Sequence, residues 1–379
     1  MKSALTAVAI MLASVSAWGS QNPNYQFTFV TQTGQTIEGH QLAALGSPAL
    51  NNAGDVIFTG YEKASIGSST FLAGLFSPQR LVAPYNGSLP ACIGSYFLND
   101  SGKIAFAQNT KLTPVYQSVS GVYETSLSGG PVKTIAAPGQ VINGVQLITN
   151  ICIADNSIGD NFSFDDSGRI IFGDSGGLYV YTPEKGLTNP TITDVHGQPV
   201  SAVIPIGGTS EEFLFSAFSG TTEGIFTPHR VVVETGDRID GIELTGFGGP
   251  YQSSRRGLAF EASYGPPGES QQGIFTRKSV VVKNGQKIDG KLLAITLEFD
   301  VNDEDQVVFS GLFGGGVYPN DIAIATRDEI IAAVGDTING HPVTFLGTPV
   351  LNDCGVVAFL ATFSDGSQAI VKAIRKWKR

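Results

Sequence analysis

Five aromatic residues, Tyr61, Tyr116, Tyr264, Phe313 and Tyr318, fall in segments that differ between otherwise similar stretches of the chain. Aromatic side chains that converge on one pocket hold flat, apolar molecules by contact area alone. Tyr264 and Lys111 can donate a hydrogen bond to a carbonyl, and Glu298 is a lone carboxylate that can hold a polar group or a water. This set is suited to binding and orienting small apolar substrates. For each tyrosine the alternative is a partly exposed loop aromatic with no partner, and for Glu298 it is a carboxylate hydrogen-bonded inside a wet channel.

Other chemistry finds little to work with. There is no His-Glu-x-x-His, Cys-x-x-Cys, Gly-x-Ser-x-Gly or phosphate loop. His40 and His341 follow the same recurring glycine, in "IEGH" and "INGH", which reads as structure rather than metal ligation. The aspartates of "DNSIGDNFSFDDSG", residues 155–168, do not match the ligand spacing of a calcium loop. No cofactor and no metal are expected.

The elements that would carry these residues are written as a repeat. "LNNAGDVIF" from Leu50, "LNDSGKIAF" from Leu98 and "LNDCGVVAF" from Leu351 are one hairpin, in which Asn, Asp and Gly tolerate the positive φ of a tight turn. "NDEDQVVF" from Asn302 puts Asp305 in the glycine position, so a different turn is expected there. A second phrase precedes each hairpin, as in "VVVETGDRIDG", "VVVKNGQKIDG" and "IIAAVGDTING". Its glycines, Gly236, Gly285 and Gly335, fall 49 and 50 residues apart.

A period of about 50 built from short strands and glycine turns indicates propeller blades of four antiparallel strands. Seven third strands can be counted, from "FLAGLFS" at 71 to "QAIVKAI" at 368. The chain opens on a fourth strand without a blade, "YQFTFVTQ", and closes on a blade without a fourth strand. The expected architecture is therefore all-β: a seven-bladed β-propeller over residues 21–379, closed by residues 27–32 pairing beside 368–374.

Counting back from the turn Asn puts Gly46, Gly94 and Gly347 at one inner-strand position and Ser47, Ser95 and Thr348 at the next; Glu298 is the exception. The same registry places Cys92 and Cys152 on neighbouring inner strands, as the expected disulfide, and leaves Cys354 free. The variable loops between second and third strands share a face with the "GDxIxG" connections and are expected to bring Tyr61, Tyr116, Tyr264, Phe313 and Tyr318 to one mouth.

Composition limits the partners. A net charge of -10 with 23 scattered basic residues argues against nucleic acid. "MKSALTAVAIMLASVSAWGS", residues 1–20, reads as a signal peptide, and no later stretch approaches the 18 or so apolar residues of a membrane span, so no stable membrane insertion is expected. The chain is expected in the lumen of the secretory pathway or outside the cell. Three sequons, at Asn86, Asn99 and Asn161, agree with that route.

The "NDxGxVAF" hairpins resemble a widespread tandem-repeat family of secreted proteins. With the leader, the sequons and the length, the chain also resembles the fungal hetero-Diels-Alderases of tropolone-sesquiterpenoid biosynthesis. That resemblance implies a cofactor-independent pericyclase joining an o-quinone methide to a humulene-type sesquiterpene. The walls would be Tyr61, Tyr116, Phe313 and Tyr318, with Tyr264 or Lys111 as donor and Glu298 deeper. The alternative is a non-enzymatic secreted propeller that binds a glycan, peptide or protein partner.

Overall fold

The computed structural model describes residues 22–376 except 65–68, 86–92, 113–117, 138–139, 143, 147–161, 175–176, 191, 193, 196, 209–211 and 267. Seven antiparallel four-stranded blades follow one another along the chain. The first runs through Ala44–Leu50, Val56–Lys63, Thr70–Phe76 and Leu81–Pro84, from the axis outward. Blade 5 uses Ile242–Ser253, Leu258–Tyr264, Gln271–Thr276 and Val280–Lys283, and blade 6 uses Lys291–Val301, Val307–Phe313, Ile322–Thr326 and Ile330–Ala333.

The ring closes as the sequence predicts. Tyr25–Gln32 pairs antiparallel with Gln368–Arg375, Phe27 opposite Ala373 and Gln32 opposite Ala369, so the first strand of the chain completes the last blade. A closed ring leaves no unpaired edge between first and last blades. Glu329 on the neighbouring blade fastens the joint: it accepts from Tyr25 Oη and Asn24 Nδ2, each at 3.1 Å, and pairs with Arg375.

The phenylalanine ending each "VAF" phrase explains why the repeat is needed. Phe58, Phe106, Phe172, Phe215, Phe260, Phe309 and Phe359 are all buried, one per blade, between adjacent sheets. A single blade would leave its ring in water, and burying one such side chain is worth about 1.5–3 kcal/mol.

Turn chemistry supplies the rest. The "GDxIxG" phrases form two-residue hairpins in which both central residues have positive φ, as at Asp240 (49°) and Gly241 (78°). Asp305 adopts φ 60° and its N–H bonds to the Asn302 carbonyl at 3.1 Å, as Gly102 does with Asn99. The expectation of a different turn there is thus corrected. An aspartate tolerates the left-handed region well enough to replace the glycine.

Candidate functional site

The inner strands do not run straight. Their ladders slip where the recurring glycine falls, between Leu45 and Pro48, Ile93 and Tyr96, and Phe247 and Tyr251, and in blade 6 between Thr296 and Phe299, where Leu297 stands in its place. In blade 7 the inner strand is interrupted between Leu346 and Val350. Residues released from the ladder turn toward the axis. Gly46 has to be glycine, because a Cβ there would overlap Thr59 Oγ1.

These bulges line a cavity of about 300 Å³ on the axis, with residues from all seven blades. Its waist carries Ser47, Ser95, Ser163, Gly207, Glu298 and Thr348. Ser47, Ser95, Glu298 and Thr348 share one register position, four residues before the turn Asn, while Ser163 lies opposite Ile171 and Gly207 opposite Leu214 at a later one; among these residues only blade 6 presents a carboxylate. Phe97, Phe164 and Tyr251 add half-buried aromatic surface.

The cavity opens on the side of the Asn-Asp turns, opposite to the face expected from loop variability. Asn52, Asp100, Asp166, Arg255, Asp303 and Asp353 belong to its lining there. Neighbouring turns are linked: the N–H of Asn52 bonds to Asp100 Oδ1 at 2.8 Å, that of Asp100 to Asp166 Oδ1 at 2.8 Å, that of Asp303 to Asp353 Oδ1 at 2.8 Å, and that of Asp353 to Asn52 Oδ1 at 2.7 Å. Partial burial, and then the charges of Asp100, Asp165 and Asp303, hold the Asp166 carboxyl above the usual carboxylate range, against the bond it accepts from Asp100.

Behind the waist, polar side chains fit between adjacent blades. Tyr96 Oη donates to the Ser47 carbonyl, and burial pushes its hydroxyl up to about 12. Ser216 Oγ donates to Tyr251 Oη at 3.1 Å, and Thr296 Oγ1 donates to Glu261 Oε2 at 3.3 Å. Asp300, two residues past Glu298, accepts from the N–H of Leu351 at 2.7 Å and is raised to about 6 by burial. Among the described residues no group of three or more His, Cys, Asp or Glu is placed to hold a metal ion, and no helix is long and apolar enough to cross a membrane.

The predicted site residues are not brought together. Tyr264 and Phe313 occupy one register position, opposite Leu244 and Leu293 at the end of the second strands, and Tyr61, opposite Ala44, lies one position earlier in blade 1. These positions face the inter-blade core: Phe313 is fully buried, Tyr264 nearly so and Tyr61 half so, so they form no mouth. The second strand continues through these residues, and period-2 alternation, as in Phe309, Gly311, Phe313, marks Phe313 and Tyr264 as core positions, while Tyr61 packs on the cluster between blades 1 and 2. The Tyr264 hydroxyl is buried without a hydrogen-bond partner.

Tyr318 is exposed in the loop beyond blade 6's second strand. Lys111 lies on blade 2's second strand opposite Val119. Glu298 does line the axial cavity; its N–H bonds to Ser310 Oγ at 3.2 Å. Asn99 is buried, and its Nδ2 donates to the Asp165 carbonyl at 3.2 Å, so this sequon asparagine is part of the turn linkage. Cys354 is exposed and free. Tyr116, Asn86, Asn161, Cys92 and Cys152 lie outside the described residues.

Sequence reasoning missed the carboxylates at the cavity opening and the buried Glu261. The latter had a signal: in "LAFEASY" a carboxylate interrupts a strand at the position after the core phenylalanine, where the other blades carry Thr59, Ala107, Gly173, Ser216, Ser310 and Leu360.

No family model matches the chain, and no curated protein matches it. Solved structures resemble it distantly. The β-propeller domain of the Trilobed protease from Pyrococcus furiosus is 10% identical, with 90% of this chain and 96% of that one covered and a TM-score of 0.41. A chain of the Mitotic Checkpoint Complex is 11% identical over 100% of both chains, with a TM-score of 0.41. The GH74 xyloglucanase from Xanthomonas campestris is 12% identical over 89% of this chain and 59% of that one, with a TM-score of 0.34. The class defined by the chain's own architecture is the seven-bladed β-propeller.

Proposed function

We propose that the axial cavity binds small organic substrates and that the chain works there as a cofactor-independent pericyclase. The reaction is a hetero-Diels-Alder addition of an o-quinone methide to a humulene-type sesquiterpene. The observation that carries the reading is the asymmetry of the cavity waist. Repeats that could have presented one residue throughout present Ser47, Ser95 and Thr348 and, in blade 6, Glu298 at the same position, which suits a single ligand in a single orientation.

A cycloaddition needs its two partners held face to face, and positioning of that kind is worth about 7–11 kcal/mol. The half-buried Phe97, Phe164 and Tyr251 supply apolar wall, and the hydroxyls of Ser47, Ser95 and Thr348 supply donors for the quinone methide carbonyl. Glu298 orients a polar substituent or a water. The leader read in residues 1–20 would place this chemistry in the secretory lumen or outside the cell.

The carboxylates at the opening favour a second reading, a non-enzymatic secreted propeller that holds a polyhydroxyl ligand such as a glycan. One experiment separates the two. The purified full chain is mixed with an o-quinone methide precursor and humulene, and adduct yield and stereoselectivity are compared with buffer alone. Thr348→Trp, which fills the waist, should abolish any acceleration, and Tyr318→Ala should leave it unchanged. An adduct mixture identical to that in buffer would sink the pericyclase reading. Loss of activity on Tyr318→Ala, with Thr348→Trp silent, would move the site to the opposite face.

A further inference from the structure

Glu38, Asp240, Asp289 and Asn339 hold the same place at the tip of the two-residue hairpins, each with φ between 48° and 50° and each followed by a glycine. In blades 1, 5 and 6 the tip carboxylate accepts from the N–H that opens the outermost strand. Glu38 accepts from Leu81 at 3.1 Å, Asp240 from Val280 at 2.9 Å and Asp289 from Ile330 at 2.7 Å. Leu81, Val280 and Ile330 share one register, opposite Phe76, Phe275 and Ala325, with a ladder slip beside each.

Blade 7 differs in both partners. Its outermost strand is the first strand of the chain, where Phe29 stands opposite Val371 beside the same slip. Its tip residue is an amide. Asn339 Nδ2 donates to the Phe27 carbonyl, and at 3.4 Å this is the longest of the four contacts. The clasp on the strand that closes the ring therefore lacks the carboxylate that the other three use.

Asn339 and Gly340 are both exposed. An asparagine before a glycine is open to deamidation, because the glycine has no Cβ to shield its nitrogen. That nitrogen attacks the asparagine Cγ, its proton leaves with the side-chain nitrogen as ammonia, and water opens the resulting succinimide to aspartate or isoaspartate. Asn284–Gly285 is a second such pair, but it is held. The Gly285 N–H donates to the Leu293 carbonyl at 2.7 Å, and Asn284 Oδ1 accepts from the Thr296 N–H at 3.2 Å. Among the described residues no such bond holds the Gly340 N–H.

We propose that Asn339–Gly340 is a deamidation site, and that its aspartate product rebuilds in blade 7 the clasp of blades 1, 5 and 6 by taking up the Phe29 N–H. The net reaction turns one amide and one water into one carboxylic acid and one ammonia, with no oxidant or cofactor. A carboxylate acceptor makes a charge-assisted bond, shorter and about twice as strong as a neutral one. The modification thus acts on the joint between the two ends of the chain, whatever the axial cavity binds.

Peptide mapping of the full chain after incubation in mildly alkaline buffer tests the site. Aspartate and isoaspartate should accumulate at 339 about tenfold faster than at 284, where the local backbone is held. Asn339→Gln, whose longer side chain closes the ring far more slowly, should leave the peptide unmodified. Hydrogen exchange tests the clasp. Asn339→Asp, which carries the product from the start, should slow exchange at the Phe29 N–H about tenfold relative to fresh wild type, and Asn339→Ala should not. Equal rates at 339 and 284, or no change at 339, would overturn the site. A Phe29 N–H that exchanges alike in wild type and Asn339→Asp would overturn the clasp.

Discussion

Asn352 Nδ2 donates to the backbone carbonyl of Asn51 at 3.1 Å, a bond that joins the last blade to the first. The same side chain holds its own turn, its Oδ1 accepting from the N–H groups of Cys354 at 3.1 Å and Val356 at 2.9 Å. The pattern repeats around the ring: Asn302 Nδ2 donates to the Asn352 carbonyl at 3.2 Å, Asn51 Nδ2 to that of Asn99 at 3.3 Å, and Asn99 Nδ2 to that of Asp165 at 3.2 Å. The first residue of each such turn therefore closes a hairpin and ties two blades.

Asn352→Ala leaves buried donors and an acceptor without partners and should cost about 2–4 kcal/mol in chemical denaturation. Asn352→Asp keeps the acceptor for the Cys354 and Val356 N–H groups but sets a carboxylate oxygen against the Asn51 carbonyl, with Val356 where blade 3 has the Arg169 that binds Asp165. Its cost should be at least as large. A smaller cost than that of Asn352→Ala would show that the inter-blade contact tolerates the charge.

This double role explains why the fold was legible in the sequence and the site was not. A turn that needs Asn, Asp and Gly at fixed offsets leaves its signature in consecutive residues, so the blades and ring closure could be counted. The cavity depends on ladder slips such as that between Thr296 and Phe299, where one surplus residue decides which side chain faces the axis. Glu298 could be flagged because it stood in a glycine and serine register. Phe313 was misplaced because the end of a strand leaves a weaker mark than a turn, and the ring that looked like loop is a strand residue in the core.

Glu329 should act locally on the ring closure. Glu329→Ala removes the partner of Tyr25, Asn24 and Arg375 together. We expect a loss of about 1–3 kcal/mol and faster hydrogen exchange confined to residues 25–32. A uniform rise in exchange around the ring would show that the terminal strand does not open separately.

Asp300 makes stability depend on pH in the acid range. Its carboxyl rises from 3.8 to about 6, chiefly by burial, and the bonds from the Leu351 and Val301 N–H groups oppose the shift. The folded chain thus holds this proton more tightly than the unfolded chain, so stability falls as pH rises from about 3.8 through about 6 and is level above that. Asp300→Asn should remove on the order of 2 kcal/mol of this pH dependence and keep an acceptor for Leu351. Denaturation midpoints measured across pH 3.5 to 8 would refute the assignment if wild type and variant ran parallel.

The approach of blade 5 to blade 6 at Gly257 should be intolerant of a single methyl group. Gly257 closes the turn after Ser254, and a Cβ at Gly257 would overlap the Asn302 carbonyl oxygen and come within 3.0 Å of Val301 Cγ2. Its φ is not in the left-handed region, so the cost of Gly257→Ala is steric, not conformational. Backbone oxygen cannot move aside without breaking the turn of blade 6, and overpacking of this kind costs about 1–3 kcal/mol. Gly366 provides the contrast: its φ is 81° and nothing lies within 4 Å of where a methyl would sit, so Gly366→Ala should lose only about 1 kcal/mol through backbone strain. Gly257→Ala should also loosen the bond from the Arg256 N–H to Asp303 Oδ1, 2.9 Å in the intact ring, and speed exchange at Arg256. If Gly257→Ala proved the milder of the two, the contact between blades 5 and 6 would be softer than these positions require.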